Sequence, residues 1–296
     1  MIPFLHPSDQ IRILSPSGCI APEYIDGAKA LLESWELKVS EGKFARGNYG
    51  RFAGTKEERI SDLQQAFDDP AVKAILCSRG GYGLAQIVDK LNFSKFMEHP
   101  KWLIGFSDIT VLHNALSLKG MPSIHGIMAK HLTELPPTNE AVLRLKEILF
   151  GKMPTYNIGT HPLNKTGKAK GKLIGGNFSV FMGLRGSSFD LQPEGAILFI
   201  EDVGEKPYHI DRMMQNLRIS GFLQKLSGLV VGQFSDYDED PLMHQTLYEI
   251  IAESVSEYNY PVCFNFPAGH VDYNLPLVLG KEIELGVSKK SAIVKY

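Results

Sequence analysis

Three cysteines in 296 residues, Cys19, Cys77 and Cys263, are too scattered and odd in number to form a disulfide framework. Cys77 and Cys263 fall in apolar runs and read as small core residues, which suits a reducing compartment. No apolar run approaches the ~20 residues of a membrane-spanning helix. The opening Met1-Ile2-Pro3-Phe4-Leu5-His6-Pro7-Ser8-Asp9 lacks the basic start and apolar stretch of a secretory signal. A soluble, cytoplasmic chain is therefore expected. Basic blocks and acidic tails are also missing, and 31 Lys+Arg against 33 Asp+Glu leave a net charge of −2. Nothing points to nucleic acid or a membrane as partner; a small, nearly neutral substrate or another protein fits better.

Missing motifs narrow the chemistry further. There is no Walker loop and no Gly-x-Gly-x-x-Gly after the first strand, so nucleotide-dependent chemistry has no support. Asp236-Tyr237-Asp238-Glu239-Asp240 begins like a calcium loop, but Pro241 and Leu247 stand where an EF-hand needs glycine and glutamate. The strict Gly-x-Ser-x-Gly elbow fails at Ile109. Internal repeats and low-complexity tracts are absent.

What is present is a β-α alternation. Strands are predicted over 11–14, 72–77 and 102–106, and helices over 22–37, 55–67, 84 onward and 138–150. Thr55 followed by Glu58 reads as a capping box. This alternation predicts a parallel sheet with crossover helices over residues 1–150. Residues 151–171 lack periodicity and read as a linker. Residues 172–296 are richer in strands, with apolar runs at 196–200, 229–234 and 262–266 and a helix over 209–223. The fold class is α/β: a parallel-sheet domain followed by a β-rich α/β domain.

In parallel sheets ligand sites collect at the carboxyl ends of strands. Three such ends carry reactive side chains. Lys101-Trp102-Leu103-Ile104-Gly105-Phe106-Ser107-Asp108 passes from strand to helix at Ser107, which can be either a helix cap or a nucleophile backed by helix N–H groups. Glu201 follows the 196–200 run, and His270 follows 262–266 through Pro267-Ala268-Gly269. Each alone reads equally as an ordinary polar loop residue; together they supply nucleophile, base and acid. Arg79-Gly80-Gly81 ends another strand. Its glycines admit a backbone N–H donor close to a ligand, and Arg79 is either a carboxylate clamp or a surface arginine. His209 and Asp211 near Glu201 lack a second histidine at helical spacing, so a metal site is not expected.

The set Arg79-Gly80-Gly81-Tyr82-Gly83, Gly105-Phe106-Ser107-Asp108, Gly175-Gly176-Asn177, Glu201-Asp202 and Pro267-Ala268-Gly269-His270 resembles the LD-carboxypeptidases. These are serine peptidases acting on murein tetrapeptides, and the family includes enzymes that inactivate the antibiotic microcin C. The resemblance implies a Rossmann-like N-terminal domain, a β-rich C-terminal domain and an active site in the cleft between them. It makes Ser107 the nucleophile, His270 the general base and Glu201 the residue orienting it, with the N–H groups of Asp108 and Gly81 as oxyanion hole. It also implies a cytoplasmic homodimer without a cofactor that releases terminal D-Ala from murein tetrapeptides. A peptidase for aminoacyl-nucleotide conjugates, a non-catalytic muropeptide-binding protein and a metallohydrolase centred on Glu201, His209 and Asp211 are the alternatives. The preference for diaminopimelate or lysine at the third residue is not legible.

Overall fold

The computed structural model describes residues 2–296, and the chain divides into two compact units. One takes the chain as far as Met153 and recovers Asp272–Leu279; the other holds Pro154–Val271 and Gly280–Tyr296.

The first unit runs β1 (Gln10–Leu14), α1 (Pro22–Ser34), β2 (Lys38–Glu41), α2 (Lys56–Asp68), β3 (Val72–Cys77), α3 (Ser94–Glu98), β4 (Trp102–Gly105), α4 (Thr110–Leu118), β5 (Ser123–His125), α5 (Ala129–Glu134) and α6 (Glu140–Leu149). The second runs β6 (Thr155–Gly159), β7 (Gly167–Asn177), α7 (Phe178–Gly183), β8 (Ile197–Val203), α8 (Pro207–Ile219), β9 (Gly228–Ser235), α9 (Leu247–Ser254) and β10 (Val262–Cys263). The chain then gives β11 (Leu277–Leu279) to the first unit and ends with β12 (Glu282–Val287) and β13 (Ser291–Lys295) in the second.

The first sheet has the order β11-β5-β4-β3-β1-β2 and is parallel except for β11, which pairs antiparallel with β5. Its central strands are covered on both faces, which is why they read as unbroken apolar runs: Ile75, Leu76, Leu103 and Ile104 are fully buried. The capping box forms as its spacing predicts. Thr55 N–H donates to Glu58 Oε2 at 2.8 Å, and Glu58 N–H donates to Thr55 Oγ1 at 3.3 Å. After Gly83 the expected helix is replaced by two short 3-10 turns, at Leu84–Gln86 and Val88–Lys90, and the one-turn α3. The Leu84 N–H there bonds to a side chain, Asp108 Oδ2 at 2.9 Å.

The second sheet has the order β10-β9-β8-β7-β12-β13-β6. Strand β7 joins its two halves: Gly167–Lys172 pairs antiparallel with β12, and Leu173–Asn177 pairs parallel with β8. Helices α7, α8 and α9 bury Phe181, Met214, Leu217 and Ile251 against Leu198 and Val231. Two expectations need correction. The segment 151–171 is no structureless linker, since β6 and the start of β7 lie in it. Lys168, Lys170 and Lys172 are exposed and alternate with less exposed Ala169, Gly171 and Leu173, a period-2 pattern masked by weak strand formers. The strand expected over 262–266 stops at Cys263, because Asn265 takes φ +60 and turns the chain out of extended conformation.

One buried charge ties a helix end of the first unit to its sheet. Lys101 has no exposed surface, and its ammonium donates to the carbonyls of Ala66, Phe67 and Asp69 at 2.8, 3.0 and 2.7 Å. These are C-terminal carbonyls of α2 that no intrahelical donor reaches. Lys101→Met is expected to lower unfolding stability by about 2 kcal/mol, the cost of buried acceptors left without a donor. Urea denaturation of the variant against the parent chain measures it.

Candidate active site

The chain leaves β4 through Phe106 into a 3-10 turn, Ser107–Ile109, that continues as α4. Ser107 takes φ +64. An L-residue with a side chain pays about 1–2 kcal/mol for that left-handed conformation. A capping serine would instead be extended, with its hydroxyl accepting from the turn. Phe106 occupies the extended position before the turn, and no side chain caps it. The capping interpretation of Ser107 therefore fails; the residue sits, half-buried, at a strained strand-to-helix turn. Ile109 is tolerated where a second glycine is common because Gly105 makes room: a Cβ on Gly105 would lie 2.8 Å from Ile109 Cγ1.

The surrounding groups hold this turn from below and from the side. His113 is buried with Nε2 2.9 Å from the Gly105 carbonyl and Nδ1 2.8 Å from Ser123 Oγ. Burial pulls its pKa down to about 4, so it stays neutral, with Nε2–H donating to the carbonyl. The Asp108 carboxylate points inward to the Ser17 hydroxyl and the Leu84 N–H. Gly80 packs directly on the serine: a Cβ there would stand 2.7 Å from Ser107 Cβ and 3.0 Å from Oγ. Its carbonyl accepts from Gly18 N–H at 2.9 Å, and Gly81 takes φ +100. Among the described residues, nothing accepts a hydrogen bond from the N–H of Gly81 or of Asp108. Arg59, buried beneath the same loops, donates to the carbonyls of Gly54, Pro16 and Gly83.

In the second unit, Glu201 and His270 meet. His270 Nδ1 lies 2.8 Å from Glu201 Oε2, and Glu201 has no exposed surface. Glu201 was expected just past its strand, yet it lies inside β8. Ile200 pairs with Val231 and Asp202 with Phe234, so Glu201 faces two residues of β9, Gly232 and Gln233. Such a bulge re-aims side chains next to functional sites. Both glycines nearby are needed for space. A Cβ on Gly232 would lie 2.5 Å from the Ala268 carbonyl, and one on Gly269 would lie 3.1 Å from Glu201 Oε2. The 264–270 loop runs on along β9, with Phe266 N–H donating to Val231, Gln233 N–H to Ala268, and Ser235 Oγ to the His270 carbonyl.

Burial alone would lower the His270 pKa. The hydrogen bond and charge of Glu201, with the charges of Asp202 and Asp236, outweigh it and hold it above the ordinary imidazole value. Asp202, on the opposite side of β8 from Glu201, accepts from Asn177 Nδ2, Ser179 N–H and Ser179 Oγ. Burial and the neighbouring Glu201 charge raise its pKa to about 6. His209 pairs with Glu205 at 2.9 Å and Asp211 accepts from Gln215, so the residues weighed for a metal are engaged separately. Sequence reasoning missed His113, Arg59 and Gly232, none of which stands at a strand end.

Comparison with known proteins adds the identity of the family. The model of the LD-carboxypeptidase N-terminal domain matches residues 11–126, and that of the C-terminal domain matches 170–285. A probable murein peptide carboxypeptidase of Bacillus subtilis strain 168 is 31% identical over 300 residues, covering 98% of this chain and 93% of that one. The crystal structure of muramoyltetrapeptide carboxypeptidase from Oxalobacter formigenes aligns with a TM-score of 0.87 at 26% identity, over 96% of this chain and 97% of that one. The microcin C7 self-immunity protein MccF, solved in complex with aspartyl sulfamoyl adenosine, shares the fold with a TM-score of 0.87 at 21% identity, over 99% and 97% of the two chains. Matched along both halves of its sequence, the chain belongs to the LD-carboxypeptidase family and is a serine carboxypeptidase, a hydrolase.

Proposed function

We propose that this chain hydrolyses the L,D-peptide bond that holds terminal D-Ala in murein tetrapeptides, with Ser107 as nucleophile, His270 as general base and Glu201 as the carboxylate that orients it. The observation carrying this reading is the 2.8 Å bond between His270 Nδ1 and the fully buried Glu201. On this reading the Nδ1 proton faces the carboxylate and Nε2 is the basic atom. The Ser107 hydroxyl loses its proton to Nε2 as Oγ bonds to the attacked carbonyl carbon. The oxyanion takes hydrogen bonds from the N–H groups of Gly81 and Asp108. The imidazolium then returns the proton to the amine of D-Ala as the C–N bond breaks. Water, deprotonated by His270, attacks the acyl-serine and frees the tripeptide. The reading extends to a homodimer working in the cytoplasm, a reducing setting that the free thiols of Cys77 and Cys263 suit.

Incubation of the purified protein with a murein tetrapeptide is expected to yield free D-Ala by mass spectrometry. Ser107→Ala should lower kcat by about 10⁴-fold or more. A parent enzyme that leaves the tetrapeptide intact but cleaves an aminoacyl-nucleotide conjugate would place it with the microcin-type peptidases instead.

The pH profile tests the partner of the serine. Neutral His270 is the active base, so protonation at low pH switches the enzyme off, and a raised pKa moves that acid limb upward. The limb of kcat/KM should therefore inflect above the ordinary imidazole value of about 6.5. Glu201→Gln removes the charge that sustains the imidazolium, so the inflection should move down and kcat should fall by about 10⁴-fold. An unmoved inflection would remove His270 from the role.

A further inference from the structure

Beside Ser107, within the first unit, lies a cavity of about 350 Å³ that the acyl-transfer groups do not use. Its polar lining includes Arg79, Lys130 and His131, and its apolar lining includes Ile20, Ala21 and Met128. Two of its lining residues connect it to the Ser107 turn. Arg79 immediately precedes Gly80, the residue packed on Ser107. The His131 ring stands edge-on to Phe106, the residue before Ser107, with centroids 5.5 Å apart.

The charges of this cavity are unequally balanced. Lys130 has Glu134 at 3.7 Å, and that carboxylate also accepts from the Tyr24 hydroxyl at 2.9 Å. Arg79 has no carboxylate partner among the described residues. Its single hydrogen bond, Nη1 to the Cys19 carbonyl at 2.8 Å, fixes the guanidinium while leaving Nε and Nη2 to bind a ligand. Two parallel N–H donors of this kind match a carboxylate. In a carboxypeptidase substrate the terminal carboxylate is three bonds from the attacked carbon, within about 4 Å of it at ordinary bond lengths. Arg79 is one residue from Gly80, which packs on the nucleophile, so the cation belongs to the loop that borders Ser107.

We propose that Arg79 binds the terminal carboxylate of the substrate, with the Ile20, Ala21 and Met128 wall receiving the small side chain of the leaving residue. This assigns the exopeptidase character of the enzyme to one guanidinium, and it rests on the proposed D-Ala release. It also commits to the carboxylate of the leaving residue rather than one elsewhere on the muropeptide.

The test compares a tetrapeptide ending in free D-Ala with the same peptide ending in D-Ala amide, for the parent enzyme, Arg79→Gln and Arg79→Lys. The parent should prefer the free acid. Arg79→Gln should lower kcat/KM for the acid about ten- to a hundredfold, mostly through KM, and leave the amide unchanged, so that the preference collapses. Arg79→Lys should restore part of it. Equal losses on both peptides would mark Arg79 as a support for the Cys19 loop and overturn the proposal, as would an undiminished preference in Arg79→Gln. No D-Ala release by the parent would instead defeat the functional reading itself, and the carboxylate clamp with it.

Discussion

A carboxylate without exposed surface costs several kcal/mol to desolvate unless hydrogen bonds and opposite charge replace the lost water. Glu201 is such a group, and its bond to His270 is the constraint around which the second unit is arranged. The β9 bulge sets Gly232 opposite Glu201, and Gly269 brings the loop backbone against the same side chain. Any side chain at either position would push the carboxylate off the imidazole. Asn265, in left-handed conformation, ends β10 early and turns the loop so that His270 arrives with Nδ1 on Glu201. Stability here is exchanged for orientation, as buried polar pairs commonly require.

Adjacent carboxylates on β8 perform different tasks because a strand sends them to opposite faces. Asp202 is held by Asn177 and Ser179, neutral donors at the β7–α7 junction, and its pKa is raised to about 6 by burial and the neighbouring charge. It therefore organises the strand end and adds to the field on His270, while Glu201 hydrogen-bonds the ring. The sum of those fields reverses the direction in which burial would take the histidine. Under the proposed mechanism, that shift keeps the imidazole basic enough to accept a serine proton near neutral pH.

The turn at Ser107 was legible in the sequence because the apolar run of β4 stops at Gly105 and a helical period starts at once. Glu201 was recognised but misplaced by a residue or more, since an apolar run ends at Ile200 while the strand continues through polar residues to Val203. Apolarity reports burial, and hydrogen bonding alone reports where a strand stops. The 151–171 segment failed for the converse reason: lysine and glycine alternate there in strand geometry without strand propensity. The return of Leu277–Leu279 to the first sheet had no local signal at all, being three residues that pair with β5 from more than a hundred positions away. Buried Arg59, Lys101 and His113 were silent likewise, because each satisfies backbone carbonyls that only the folded chain brings together.

The energies at the first unit's turn explain why so much surrounds one serine. A left-handed Ser107 costs about 1–2 kcal/mol, a sum that a marginally stable protein notices. Against it stand Gly80 packed on the side chain, the neutral His113 holding the Gly105 carbonyl, and the Asp108 carboxylate joined to Ser17 and Leu84. Gly80 bears on Ser107 directly, and the other groups fix its neighbours. The hydroxyl is thus left without a structural task, and the adjacent N–H groups of Gly81 and Asp108 are left without an acceptor. Removing one such donor from an oxyanion costs roughly 3 kcal/mol of transition-state stabilisation. That exceeds the strain of the turn, so under the proposed mechanism the smaller cost of the turn would be outweighed on the chemical step.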